Sequence, residues 1–365
     1  MSKKIAFVVK NPKKRYSGGR IYALTIVKGL LHLGYTVDYY TNCVPIFYNE
    51  IIGSNYEGKI NLIVNKYSLH TVRNNNYSMV FLVPHLNTLR NYIFDKMFFY
   101  GFVKKLKFSN PSKLIFIDFE SPAWVNHVDE SLRSKFVYRN SDSFSKYADE
   151  VISISKTGQK FASEYYSKIS KELKFHYLYP PINSDLADKI NNNIKVDEVL
   201  FFARFDGNHK SPNVLFNLIK SLPKGYTINL ITNKDLISDD IHKEIEIQTK
   251  KNLVKVNFLD RISDLEKFKY LAKSRMLIFS SKFEGFGLPP VEAQYVNTPV
   301  ICSDLPVLRE VNSRAIFDDF NSLDILKNKI LKCIDSPPKN LKESVESFAK
   351  FENFVKKLKS ILSSI

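Results

Sequence analysis

Short apolar runs of strand type alternate with segments of helical period along most of this chain, and the pattern occurs twice. In the first half, "KIAFVVK" (Lys4–Lys10), "YTVDYYT", "INLIV", "SMVFLV", "KLIFID" and "EVISIS" read as strands. The segment "RIYALTIVKGLLHLG" reads as a helix that stops at Gly34. Runs this short, bounded by turn residues and separated by helices, predict an α/β domain with a mostly parallel sheet. The pattern breaks at "LYPPINSDLADKINNNIKVDE", where Pro180-Pro181 and an Asn-rich stretch make a linker. It then restarts with "VLFFAR", "YTINLIT", "VKVNFL", "RMLIFS", "TPVICS" and "RAIFD". A length of 365 residues fits two such domains. The boundaries expected are 1–180 for the first domain, 181–196 for the linker and 197–345 for the second. A C-terminal helical segment, 346–365, either crosses back to the first domain or lies on the surface. Two doubly wound domains joined in this way leave a cleft between the carboxyl ends of their sheets, where such folds bind ligands.

The stretch "SSKFEGFGLPPVEAQ", Ser280 to Gln294, falls between a strand and a helix and combines residues of different use. Gly285 and Gly287 let the backbone turn sharply and approach a ligand. Pro289-Pro290 suits a first helical turn, whose N–H groups lack partners anyway. The positive end of the helix seats phosphate oxygens. Glu284 and Glu292 accept hydrogen bonds, which suits a ligand bearing hydroxyls. A phosphate-bearing sugar uses every part of the stretch, although the helix dipole alone also favours Glu292 in a first turn.

Other candidates cluster at strand ends. In "FFARFDGNHKSPN", Arg204 follows a strand and Lys210 precedes a helix, so the two can neutralise a diphosphate or stand as solvated loop cations. In "NPKKRYSGGRIYAL", Gly18-Gly19 opens a helix beside Lys13, Lys14, Arg15 and Arg20. This pair forms an anion nest or a plain loop, and the G-x-G-x-x-G spacing of a dinucleotide site is missing. His85, Asp118 and Glu120 also end strands, and each is either structural or available for acid–base work. From Leu89 to Lys113, aromatic and lysine residues interleave as at a membrane interface, but they fall all around a helical wheel.

Taken together, these strings resemble glycosyltransferase family 4, whose members have the GT-B fold, use nucleotide sugars and retain anomeric configuration. "FEGFGLPPVEA" resembles the E-x7-E signature, and the following "TPVICSDLPVLREV" is similar to the strand and "P-E-V" loop that come after it. "ARFDGNHKSPNVLFNLIKSL" resembles the Arg-and-Lys diphosphate site. "ADEVISISKTGQKF" resembles the end of the first domain, and "FAKFENFVKKL" the crossing C-terminal helix. The likeness covers nearly all of the second domain and the first in outline. It implies that Arg204 and Lys210 bind the donor diphosphate and that Glu292 accepts the ribose hydroxyls. Glu284 and the amides of Gly285, Phe286, Gly287 and Leu288 would hold the sugar and phosphates, with Gly18 and Gly19 under the donor. The chain departs from the family at Ala203, where a Gly is usual, and at "TNKD" after "INLI". It departs again at Asp118, which with its neighbours stands where a His is common; Asp118 is the candidate acceptor-side residue.

The function expected is transfer of a hexose from a UDP- or GDP-sugar to a hydroxyl of a glycan or lipid-linked glycan in polysaccharide or glycoconjugate assembly. Two cations and a helix dipole serve the leaving diphosphate, so neither a metal nor a cofactor beyond the donor substrate is called for. Net charge is +17, from 54 Lys and Arg against 37 Asp and Glu. That excess attracts an anionic membrane surface or an anionic acceptor, or reflects compositional bias. The first apolar run spans five residues, too short for a signal peptide, and nothing approaches the ~20 apolar residues of a membrane span. Three separated cysteines fit a reducing compartment. A cytoplasmic protein, peripheral on the inner membrane face, is expected. The same clefts suit a nucleotide-sugar epimerase, and the charge suits a non-enzymatic polyanion binder, but no nucleic-acid-binding motif is present.

Overall fold

The structure, a computed structural model, describes residues 4–11, 17–64, 72, 76–83, 104, 107, 112–128, 141–142, 145–190, 194–203, 212–260 and 262–365. The chain forms two compact units: Met1–Pro180 with Phe354–Ile365, and Pro181–Asn353.

The first unit is built on β1 (Lys4–Val9), β2 (Thr36–Thr41), β3 (Ile60–Val64), β4 (Met79–Leu82), β5 (Lys113–Asp118), β6 (Glu150–Ser153) and β7 (Lys174–Tyr177). They form a parallel sheet in the order β3-β2-β1-β4-β5-β6-β7. Most of the apolar runs read from the sequence are inner strands, and β1, β4, β5 and β6 are buried on both faces, whereas β3, the run "INLIV", is a half-exposed edge strand. Helices α1 (Gly18–His32), α2 (Tyr48–Ile52), α3 (Pro122–Val128) and α4 (Lys156–Tyr166) lie between them in sequence. Helix α1 ends as expected: Gly34 has φ +85° and its N–H reaches the Leu31 carbonyl at 3.0 Å. The chain runs outward from β1 to β3 and resumes on the other side at β4. The order therefore reverses between β1 and β4, and the carboxyl ends of those strands diverge there.

The second unit repeats the plan. After α5 (Ser184–Ala187) come β8 (Val196–Phe202), α6 (Pro212–Ser221), β9 (Thr227–Ile231), α7 (Asp239–Asn252), β10 (Lys255–Leu259), α8 (Asp264–Lys273) and β11 (Ser274–Phe279). Then follow α9 (Leu288–Tyr295), β12 (Val300–Ser303), α10 (Pro306–Val311), β13 (Ile316–Asp318), α11 (Leu323–Asp335) and α12 (Leu341–Ala349). The parallel sheet has the order β10-β9-β8-β11-β12-β13, so its reversal falls between β8 and β11.

The C-terminal segment is two helices, α12 and α13 (Phe351–Ser364), where the sequence reads as one. Lys350 between them is extended (φ −79°, ψ 148°), and the carbonyl of the buried Ala349 accepts from Ile182 N–H at 2.9 Å. A bond from outside the helix takes that acceptor, and the backbone breaks there. Beyond the break, Phe354 and Leu358 of α13 press on α1 at Gly29. A Cβ at Gly29 would lie 2.9 Å from each of these side chains. Lys357 adds its ammonium over the Tyr177 ring, 4.6 Å from the centroid.

Only a hydrogen fits at that crossing, so Gly29→Val is expected to destabilise the first unit by roughly 1–3 kcal/mol through overpacking. Thermal unfolding measures this. An unchanged Tm would contradict the close approach of α13 to α1.

Candidate functional site

Strand β11 enters the second sheet beside β8, at the order reversal, with Met276 to Phe279 buried. The chain leaves it through the buried Ser280 and Ser281. Ser281 N–H donates to Ser303 Oγ at 2.7 Å, and Ser281 Oγ donates to the Phe283 carbonyl at 2.8 Å. These bonds fold the signature stretch tightly against β12. Phe286 is buried edge-on to Phe348 of α12, with ring centroids 6.4 Å apart. Glu284 is half-buried.

Gly287 is the N-cap of α9 and adopts φ +87°, ψ 64°. A Cβ there would clash with Leu308 Cδ2, so both conformation and space require glycine. Leu288 begins the helix, with Pro289 and Pro290 following as the sequence predicts, and no side chain caps the end. Pro289 and Pro290 carry no N–H, so the first turn offers the Leu288 amide and the positive end of the dipole.

Behind this end α9 is locked. Gln294, fully buried, donates from Nε2 to Asn312 Oδ1 at 2.6 Å and accepts from Ser344 Oγ at 3.3 Å. The Tyr295 hydroxyl donates to Asp188 at 3.1 Å, and Lys342 pairs with the same carboxylate at 2.8 Å.

Glu292 lies in the second turn of α9 rather than the first, where the dipole's favour has faded. It is 5% exposed. Its partner is Lys267 of α8, whose Nζ lies 2.7 Å from Glu292 Oε1 and 2.9 Å from Asp264 Oδ1. Burial raises the Glu292 carboxyl above the ordinary range, and the Lys267 ammonium opposes that rise. Burial pulls Lys267 down, and the two carboxylates more than reverse it. Sequence reasoning missed Lys267. Its signal was a lysine on the apolar stripe of α8, one turn before Leu271 and adjacent to Phe268, both fully buried.

Arg204, Lys210, His85 and most of the Leu89–Lys113 stretch lie outside the described residues. The described chain reaches Ala203, whose N–H donates to the Ile231 carbonyl at the end of β9.

In the first unit the structure gathers several predicted residues at the carboxyl edge of the sheet. Gly18 and Gly19 open α1, again with no side-chain cap. A Cβ on Gly19 would sit 3.2 Å from the Phe119 ring, and the Arg20 guanidinium lies 5.9 Å from that ring's centroid. Asp118 ends β5, 3% exposed, and accepts from the Tyr166 hydroxyl at 3.2 Å. Its Oδ2 has no partner among the described residues, nor has Oγ of Ser153, its register neighbour on β6. Burial pushes the Asp118 carboxyl up to about 7, with Tyr166 pulling it down and Glu120 adding to the rise. Asn11, which sequence reasoning passed over, is buried at the same edge. It donates from Nδ2 to Tyr39 and exchanges backbone–amide bonds with Asn42 at 2.7 and 3.0 Å. Among the described residues no cluster of three metal-ligating side chains occurs, and no helix is long and apolar enough to cross a membrane.

Residues 184–351 match the family described as glycosyl transferases group 1. The O-antigen chain mannosyltransferase RfbU of Salmonella typhimurium is 36% identical over 101 residues, which are 28% of this chain and 27% of that protein. The chain spans less than half the length of the first curated relatives it matches. Among solved structures, sucrose-phosphate synthase from Thermosynechococcus elongatus superposes with TM-score 0.70 at 16% identity, covering 99% of this chain and 98% of that one. Anabaena HepE in complex with UDP and glucose gives 0.69 at 16% identity and covers all of both chains. The fold is GT-B: two Rossmann-like domains, each on a parallel sheet.

The raised Asp118 gives a pH signature. Between the ordinary carboxylate value, about 3.9, and about 7, the folded chain binds this proton more tightly than the unfolded chain. Stability contributed here therefore falls as pH rises through that window. Asp118→Asn is expected to raise Tm relative to the parent more at pH 8 than at pH 5. A gap that does not widen with pH would contradict the buried, proton-holding state.

Proposed function

We propose that the chain is a retaining glycosyltransferase that moves a hexose from a nucleoside diphosphate sugar to a hydroxyl of a glycan or lipid-linked glycan. The observation that carries this reading is the uncapped start of α9 at the order reversal of the second sheet, with Glu292 behind it and Glu284 before it. Phosphate oxygens suit the Leu288 amide and the positive helix end, and hydroxyls suit the carboxylates. The match over 184–351 supports the reading. So do the name of RfbU, an O-antigen chain mannosyltransferase, and the UDP and glucose held by HepE.

In this mechanism Arg204, Lys210 and the α9 terminus stabilise the charge that develops on the leaving diphosphate, a preorganised electrostatic contribution. Glu292 holds the ribose hydroxyls, and Glu284 with the amides of Gly285 to Leu288 holds the sugar and phosphates. Gly18 and Gly19 leave room beneath the donor. The leaving phosphate takes the proton of the acceptor hydroxyl as the new glycosidic bond forms on the same face. Asp118, on the acceptor side, orients the groups around that hydroxyl. No cofactor is needed beyond the donor. The work is done in the cytoplasm, with the first unit resting on the inner membrane face.

A thermal-shift panel of UDP-, GDP- and ADP-sugars tests the donor class, because a ligand bound to the folded state raises Tm. One nucleotide series is expected to stabilise the protein, and Arg204→Ala and Glu292→Gln are each expected to weaken that binding about tenfold or more while leaving the free protein folded. Unchanged affinity in both variants would remove the site assignment. Product analysis separates transfer to an acceptor from epimerisation of the donor alone, and loss of neither donor nor acceptor would leave a polyanion binder.

Membrane attachment is tested by sedimentation with vesicles. The protein is expected to pellet with phosphatidylglycerol vesicles at low salt and to be released as salt is raised. Failure to pellet under either condition would sink that part of the proposal.

A further inference from the structure

We propose that Lys267 is a positioning residue for donor binding: it occupies one carboxylate oxygen of Glu292 so that the other is presented to the ribose. This rests on the function proposed above and adds to it a residue outside the signature.

A carboxylate as buried as Glu292 is costly unless it is paired and hydrogen-bonded. Lys267 supplies the pair at 2.7 Å, and it does so to Oε1. Among the described residues Oε2 accepts no hydrogen bond from a protein group. Lys267 is itself held. Its side chain is 16% exposed, and its second bond, at 2.9 Å, goes to Asp264 one turn earlier in α8.

That turn is fixed by a capping box. Ser263 Oγ accepts from Glu266 N–H at 3.2 Å, and the Glu266 carboxylate accepts from Ser263 N–H at 2.9 Å. The ammonium therefore cannot swing away without breaking two ion pairs on a rigid turn. Lys267 and Asp264 are the charged groups that the structure brings to Glu292. Two carboxylates around one ammonium leave the group with net charge −1. Such a group suits the neutral, proton-donating diol of a ribose and repels phosphate, which is left to the α9 terminus. An ion pair serving only to hold α8 on α9 would need no free oxygen.

The test measures binding of UDP and GDP by calorimetry from pH 5 to 8 for the parent, Lys267→Met and Asp264→Asn. Lys267→Met is expected to weaken binding about ten- to a hundredfold at pH 7. Without the ammonium the Glu292 carboxyl rises further, so the pH below which binding is lost should move up. Lys267→Arg, which keeps the charge, should recover part of the affinity, and Lys267→Met should add little in a Glu292→Gln background. Asp264→Asn removes the competing acceptor and a nearby negative charge, so the acid limit should move down.

A folded Lys267→Met protein with parental affinity and pH limit would overturn the proposal, reducing Lys267 to a structural tie. Should Lys267→Met not fold, the Asp264→Asn limit decides, and an unmoved limit overturns it equally. If the parent binds neither nucleotide at any pH, the functional reading has failed first, and this proposal falls with it.

Discussion

A helix that begins without a cap yet is packed on its remaining sides is the constraint on which the second unit depends. Pro290 to Tyr295 of α9 are all buried. Strand β11, Leu308 and the Gln294–Asn312–Ser344 chain fix the helix so that its first turn faces the edge where the strand order reverses. Two consequences follow from that fixation. The positive end of the dipole is left without a side-chain cap, on a first turn whose Pro289 and Pro290 carry no N–H of their own. And any acid carried inside the helix must be compensated by another element, which is the part Lys267 of α8 plays for Glu292.

The two candidate acids are held by different means. In the second unit, Glu292 is matched by the charge of Lys267. In the first, Asp118 sits at the end of β5 with a neutral tyrosine as its partner, and burial keeps its proton on near neutral pH. A carboxyl so enclosed is better suited to orienting neighbours than to pulling a proton from an exposed acceptor. In the proposed mechanism the leaving phosphate, not this carboxyl, accepts the proton.

Much of this architecture could be read from the amino acids, because parallel strands buried on both faces write themselves as uninterrupted apolar runs. "KIAFVV" and "RMLIF" were legible for that reason, and so was the start of α9, where Gly-Leu-Pro-Pro leaves few other structures open. Strand β7, Lys-Phe-His-Tyr, was not. It is an edge strand, half-buried and polar on alternate residues, and its identity comes from pairing with β6. The break at Lys350 was hidden as well, since the acceptor that ends α12 bonds to Ile182, far away in sequence. The pairing of Glu292 with Lys267 belongs to the same class. Periodicity marks Lys267 as facing inward, but which acid it meets is decided by the packing of α8 on α9.

The central claim is that the α9 terminus and Glu292 together receive a nucleoside diphosphate. A crystal structure of the full chain with UDP or GDP bound tests it most directly. The account predicts phosphate density against the N–H groups of residues 285–288 and a ribose hydroxyl within hydrogen-bonding distance of Glu292 Oε2. A nucleotide bound elsewhere, with Glu292 still enclosed and touching nothing but Lys267, would contradict it.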